Sequence, residues 1–140
     1  MPALRNYDLF ISHAWAYNED YYRLERLLKL APNFMYRNYS VPIHDPLIDP
    51  DTHVGKREMA ALLRNQLFRA QIVLIIAGMY VPYRYWIQQE IDMARSYQKP
   101  ILGVVPWGHE RIPIEVKTAS REIVRWNTSS IVDAIRRNAM

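Results

Sequence analysis

The pair best placed to do chemistry in this chain is Trp86 and Glu90, in the segment YWIQQEI. On a helix, residues four apart share a face, so the two side chains point the same way. A carboxylate beside a large aromatic ring and partly removed from water has a raised pKa. It can serve as a general acid or base, or stabilise a developing positive charge. N-glycosidic cleavage passes through an oxocarbenium-like state, and a carboxylate beside the ribose supplies the complementary charge. The competing explanation is an ordinary solvated glutamate next to a tryptophan that serves the core.

Other chemistries find little support. The histidines His13, His44, His53 and His109 stand singly. His44, Asp45, Asp49 and His53 could ligate a metal, but turn and capping roles explain such residues without one, and no metal site is expected. Ser12 and His13 adjoin, yet no GxSxG elbow accompanies them. The glycines Gly55, Gly78, Gly103 and Gly108 form neither GxGxxG nor GxxxxGK[ST]. That argues against a dinucleotide-fingerprint dehydrogenase and a P-loop enzyme, and no cofactor is expected. The run HAWAYN after the first strand is too bulky for a flavodoxin-type flavin site. A phosphoacceptor receiver would end its third strand on aspartate, where this chain has Ala77–Gly78.

The elements that must position Glu90 are legible around it. Ile72–Ala77 and Ile101–Val105 are short, apolar and rich in β-branched residues, as strands buried on both faces of a parallel sheet are. Between them Ile87, Ile91 and Ala94 recur at i, i+4, i+7 and give a helix its apolar face. This βαβ unit puts its ligand at the carboxyl ends of the strands, where the first turn of the helix carries Trp86 and Glu90. Upstream, Asn6–Ser12 reads as strand 1. A helix capped by Asn18 and facing inward through Leu24, Leu27 and Leu28 ends at Pro32. The second strand is placed at Asn38–Val41, at the sheet edge. Pro42–Lys56 is a long loop, and Met59, Leu63, Leu67 and Ala70 form the inner face of a helix over Lys56–Ala70. Downstream, a helical turn is expected over Val116–Ser120 and a strand over Glu122–Trp126. Asn127 or Thr128 caps a last helix facing inward through Ile131, Val132 and Ile135. Five βα repeats imply one α/β domain over 1–140: a doubly wound, five-stranded parallel sheet of flavodoxin-like order 2-1-3-4-5, with helices on both faces.

Composition sets bounds on location and partners. Of the 140 residues 50% are hydrophobic and 23% charged, with a net charge of +4, ordinary for a globular domain. No run of eighteen or more apolar residues is present, so no membrane span is expected. No signal-like apolar region opens the chain. The absence of cysteine excludes disulfides and thiolate zinc sites and is compatible with the cytoplasm. Arg57, Arg64, Arg69, Arg84 and Arg95 are scattered rather than clustered, so no nucleic-acid face is expected.

YDLFISHAW, the Trp86-x-x-x-Glu90 motif, KPILGV and the five βα units resemble the TIR-like proteins of the Thoeris antiphage defence system, within the Toll/interleukin-1 receptor superfamily. The resemblance covers nearly the whole chain. It implies a cytoplasmic enzyme that cleaves NAD+ at the nicotinamide–ribose bond and makes a cyclic or conjugated ADP-ribose signal, with NAD+ as substrate rather than cofactor. It implies partners too: self-association through TIR–TIR contacts, and a downstream effector that responds to the product. By position, Glu90 matches the catalytic glutamate and Trp86 the aromatic one turn before it. Ser12 and His13 match the strand 1 exit at the nicotinamide end. Pro42–His53 matches the gating loop, with His44, Asp45 and Asp49 as lining candidates. Met79 and Tyr80 face the crevice, and Arg84, preceding the helix, is placed to meet a phosphate. HAWAYNED departs from the more usual serine-plus-acid run. A non-catalytic TIR–TIR assembly module and a nucleoside deoxyribosyltransferase-like enzyme are the alternatives.

Overall fold

The computed structural model describes residues 6–12, 19–39, 53–77, 84–105 and 112–139. In chain order these form β1 (Asn6–Ile11), α1 (Glu19–Lys29), β2 (Met35–Asn38), α2 (His53–Arg69) and β3 (Ile72–Ile76). Then follow α3 (Arg84–Ser96), β4 (Ile101–Val105), α4 (Ile114–Ala119), β5 (Glu122–Arg125) and α5 (Thr128–Asn138). The strands form one sheet in the order β2-β1-β3-β4-β5, with every pairing parallel. This is the expected architecture. β3 and β4 are buried at every position, which is why their sequences run apolar without alternation.

Register decides which side chains share a face, because paired residues of a parallel ladder stand on the same side and neighbours alternate. Tyr36 pairs with Tyr7 and Asn38 with Leu9; Ile11 pairs with Leu74, Leu74 with Leu102 and Leu102 with Glu122. All therefore occupy one face. Helices α1 and α5 cover it. Tyr36 Oη and Asn38 Nδ2 donate to the Glu25 carboxylate of α1 at 3.1 and 2.8 Å. Arg137 Nη2 and Asn138 Nδ2 of α5 donate to Glu122 at 2.7 and 2.9 Å. Thr128 Oγ1 joins the two helices by donating to Leu27 O at 2.9 Å. The opposite face carries Phe10, Ser12, Val73, Ile75, Ile101 and Gly103, beneath α2, α3 and α4. At Gly103 a Cβ would meet Ser120 Oγ, just past α4, at 2.9 Å. Glycine is therefore what lets α4 lie this close to β4.

Helix ends follow local chemistry. Asn127 caps α5, its side chain accepting from Ser130 N–H at 3.0 Å. Helix α3 stops in a Schellman turn: Lys99 N–H bonds Ala94 O at 2.8 Å and Gln98 N–H bonds Arg95 O at 3.0 Å. Gln98 sits at φ 56° in the left-handed region, and Pro100 follows. Several boundaries differ from those read in the sequence: β1, β3 and β5 each end one residue earlier, and α1 ends at Lys29, short of Pro32. β2 is Met35–Asn38 rather than Asn38–Val41, because its pairing with β1 begins at Met35 and ends at Asn38. α2 starts at His53 rather than Lys56, with Gly55 buried in its first turn. α4 begins at Ile114 directly after Pro113 and closes where Ser120 N–H and Oγ both donate to Val116 O.

The Glu25 site is the main polar cluster on the α1 side. Burial pushes its carboxyl up, but hydrogen bonds from Tyr21, Tyr36 and Asn38 and the nearby Lys29 outweigh that, leaving it below the ordinary carboxylate value. Burial and the Glu25 charge together raise the Tyr36 hydroxyl.

Candidate active site

The site is built on α3. Its buried residues are Trp86, Ile87, Glu90, Ile91, Met93 and Ala94. At about 100° per residue, these span an arc of roughly 160°, from Met93 through Trp86, Glu90, Ala94 and Ile87 to Ile91. Glu90 lies near the centre of that arc and is 0% exposed. An ordinary surface helix puts leucine or isoleucine there, because an ionised carboxylate held away from water costs several kcal/mol. Trp86, 8% exposed, stands one turn before it on the same side. Glu90 is thus neither solvated nor peripheral, and the simple surface explanation of this residue is excluded. Trp86 is in the first turn of α3, whereas Glu90 is in the second, about 9 Å along the axis from Arg84, rather than in the first turn as the sequence suggested.

Ser12 sits at the carboxyl end of β1, and its N–H donates to Leu74 O at 2.8 Å. It is 1% exposed, and its Oγ has no hydrogen-bond partner among the described residues. Strand alternation places it on the sheet face that α2, α3 and α4 cover, so Ser12 and Glu90 occupy the same half of the molecule. Arg84 is the first residue of α3 rather than part of the segment before it, and its side chain is exposed. Helical spacing sets it about 120° from Glu90, on the side of α3 that faces α4. There a cleft of about 220 Å³ is lined by Gln88, Ile91, Arg95, Ile114, Glu115 and Thr118, none of them a predicted site residue. His13, His44, Asp45, Asp49, Met79 and Tyr80 lie outside the described residues, as do the Asn18 cap and most of the Pro42–His53 loop. Among the described residues, no group of histidines and carboxylates could hold a metal ion.

Two neighbours escaped the sequence reading. Tyr85 packs edge-to-face on Trp86, with ring centroids 5.0 Å apart and planes at 89°. Lys56, from the first turn of α2, places its Nζ 4.9 Å from the Tyr85 ring centroid. Met93 completes the Trp86–Glu90 stripe at i+7, a spacing the sequence did show.

Residues 10–111 match the family described as Thoeris protein ThsB, TIR-like domain. The chain belongs to this ThsB TIR-like family. Among solved structures, a conserved protein from Enterococcus faecalis V583 is similar at 8% identity and TM-score 0.60, over 95% of this chain and 99% of that one. A CMP N-glycosidase from Clostridium botulinum, BcmB, is similar at 12% identity and TM-score 0.50, over 92% of this chain and 98% of that one. These likenesses establish the shared fold of the ThsB-like chain. No curated protein matches it. No helix among the described residues is long and apolar enough to cross a membrane.

Proposed function

We propose that this ThsB-like protein cleaves the nicotinamide–ribose bond of NAD+ and makes an ADP-ribose-derived signal in Thoeris-type antiphage defence. The observation that carries the proposal is the burial of the Glu90 carboxylate at the centre of the inward arc of α3, one turn from Trp86. In this reading the ribose docks against Glu90 at the carboxyl edge of the sheet. The C1′–N bond breaks, and its electron pair passes to the pyridinium ring, which leaves as neutral nicotinamide. The carboxylate stabilises the oxocarbenium-like ribose left behind. Water then gives linear ADP-ribose, an internal nucleophile a cyclic product, and another acceptor a conjugate. Ser12 and His13 border the nicotinamide, His44, Asp45 and Asp49 line the gate, Met79 and Tyr80 border the crevice, and Arg84 meets a phosphate. The protein works in the cytoplasm, self-associates through TIR–TIR contacts, and signals to an effector that binds the product. The family membership and a nucleotide N-glycosidase of similar fold support this reading.

Mass spectrometry of NAD+ incubated with the assembled wild type and with Glu90→Gln tests the proposal. Nicotinamide release by the wild type and its loss in the variant are expected. Intact NAD+ with a wild type that still supports defence would overturn it, and a silent Glu90→Gln would favour the non-catalytic assembly module. The likeness to a CMP N-glycosidase favours a second reading, base cleavage or exchange on a nucleoside or its monophosphate. Release of a base from such a substrate without NAD+ loss would select it.

A further inference from the structure

We infer that Tyr85, held by Lys56, is a positioning residue for Trp86 and so sets the wall of the site beside Glu90. The inference rests on the proposed glycosidic chemistry for its kinetic arm and on geometry alone for its spectroscopic arm. Consecutive helix residues project about 100° apart, so Tyr85 and Trp86 have no obligation to touch. Their rings nevertheless meet with centroids 5.0 Å apart and planes at 89°, an arrangement aromatic quadrupoles favour. Tyr85 is 51% exposed. Left to itself, a half-exposed tyrosine on a helix surface samples several rotamers. Lys56 biases that choice by lying over the ring, with Nζ 4.9 Å from its centroid.

The contact chain therefore runs from the first turn of α2 through Tyr85 to Trp86 on α3. Trp86 stands one turn before Glu90 on the same buried arc, so the residue that sets its ring also acts on the side of α3 from which the carboxylate projects. Lys56 makes no ion pair among the described residues, and the first turns of α2 and α3 contain no acidic residue. Nothing described there competes with the aromatic ring for the ammonium. The bracket needs an aromatic ring at 85 and a cation at 56, and it does not need the tyrosine hydroxyl.

The test compares Tyr85→Ala, Tyr85→Phe, Lys56→Met and Lys56→Arg in the full chain, with thermal unfolding as the control for folding. Steady-state NAD+ cleavage should lose about 10-fold in kcat for Tyr85→Ala, with KM changed by less than about 3-fold. Tyr85→Phe and Lys56→Arg should stay within about 2-fold of wild type, and Lys56→Met should fall between. Near-ultraviolet circular dichroism should lose the Trp86 contribution, defined by difference from Trp86→Phe, in Tyr85→Ala and keep it in Tyr85→Phe. A Tyr85→Ala protein with unchanged kcat and an unchanged Trp86 signal would overturn the inference. So would equal losses in Tyr85→Phe and Tyr85→Ala. If the wild type leaves NAD+ intact, the proposed function fails while the spectroscopic comparison still decides this inference.

Discussion

Replacing Glu90 by glutamine should separate chemistry from packing. The substitution keeps the shape of the side chain and removes its charge. Glu90 is 0% exposed and lies among Trp86, Ile87, Ile91, Met93 and Ala94, so an ionised carboxylate there carries a desolvation cost of several kcal/mol. A carboxamide of the same volume carries less. Stability should therefore hold or rise, by up to about 2 kcal/mol, or roughly 6 °C in Tm for a chain of this size. Activity should move the other way. Losing one preorganised charge facing an oxocarbenium-like centre costs about 10³-fold in kcat, near 4 kcal/mol at 1.36 kcal/mol per decade. The assays are nicotinamide release from NAD+ and differential scanning calorimetry on the same preparations. A stabilised, inactive variant is the expected result, as is usual where function is maintained against stability. A Tm lowered by more than roughly 6 °C, with activity falling in proportion, would show that Glu90 is a structural residue and refute the reasoning.

Gly103→Ala should destabilise by about 1–3 kcal/mol, because its Cβ would meet Ser120 Oγ at 2.9 Å while that hydroxyl is donating to Val116 O at 2.6 Å. Adding Ser120→Gly should recover part of the loss in a double-mutant cycle followed by urea unfolding. Gln98→Gly should raise stability by about 1 kcal/mol in the same assay, since Gln98 holds φ 56° at the end of α3. The Glu25 carboxyl lies below its ordinary value when folded, so its contribution is present above the unfolded pKa and is lost as pH falls through the folded one. Glu25→Gln should accordingly flatten the acid limb of Tm against pH, read by circular dichroism between neutral pH and acid.

Most of the fold was legible because burial writes itself into composition. β3 and β4 lie inside on both faces, so only apolar residues fit, and their ranges were read almost to the residue. Met59, Leu63, Leu67 and Ala70 recur at helical spacing and all are buried. β2 was misplaced for the opposite reason. Its inward residues Tyr36 and Asn38 are polar and satisfied by Glu25, while Met35 on the outer side is 51% exposed, so hydropathy carried no alternation to read. At the site, the Trp86–Glu90 spacing exposed the shared stripe, because a helix converts sequence distance into direction. The Lys56–Tyr85 contact was invisible. It joins two helices through a cation and a half-exposed ring, and neither residue type in isolation announces such a pairing.

The split of the sheet into two differently furnished sides has a practical corollary. Ser12 and Glu90 share one side with α2, α3 and α4, whereas the carboxylate networks of Glu25 and Glu122 belong to the other, with α1 and α5. Substitutions confined to the α1–α5 layer are separated from Ser12 and Glu90 by a full thickness of sheet, and distant sites of this kind combine additively. That layer is the place to engineer solubility, labels or tethers while the opposite one, with its buried carboxylate, is left untouched.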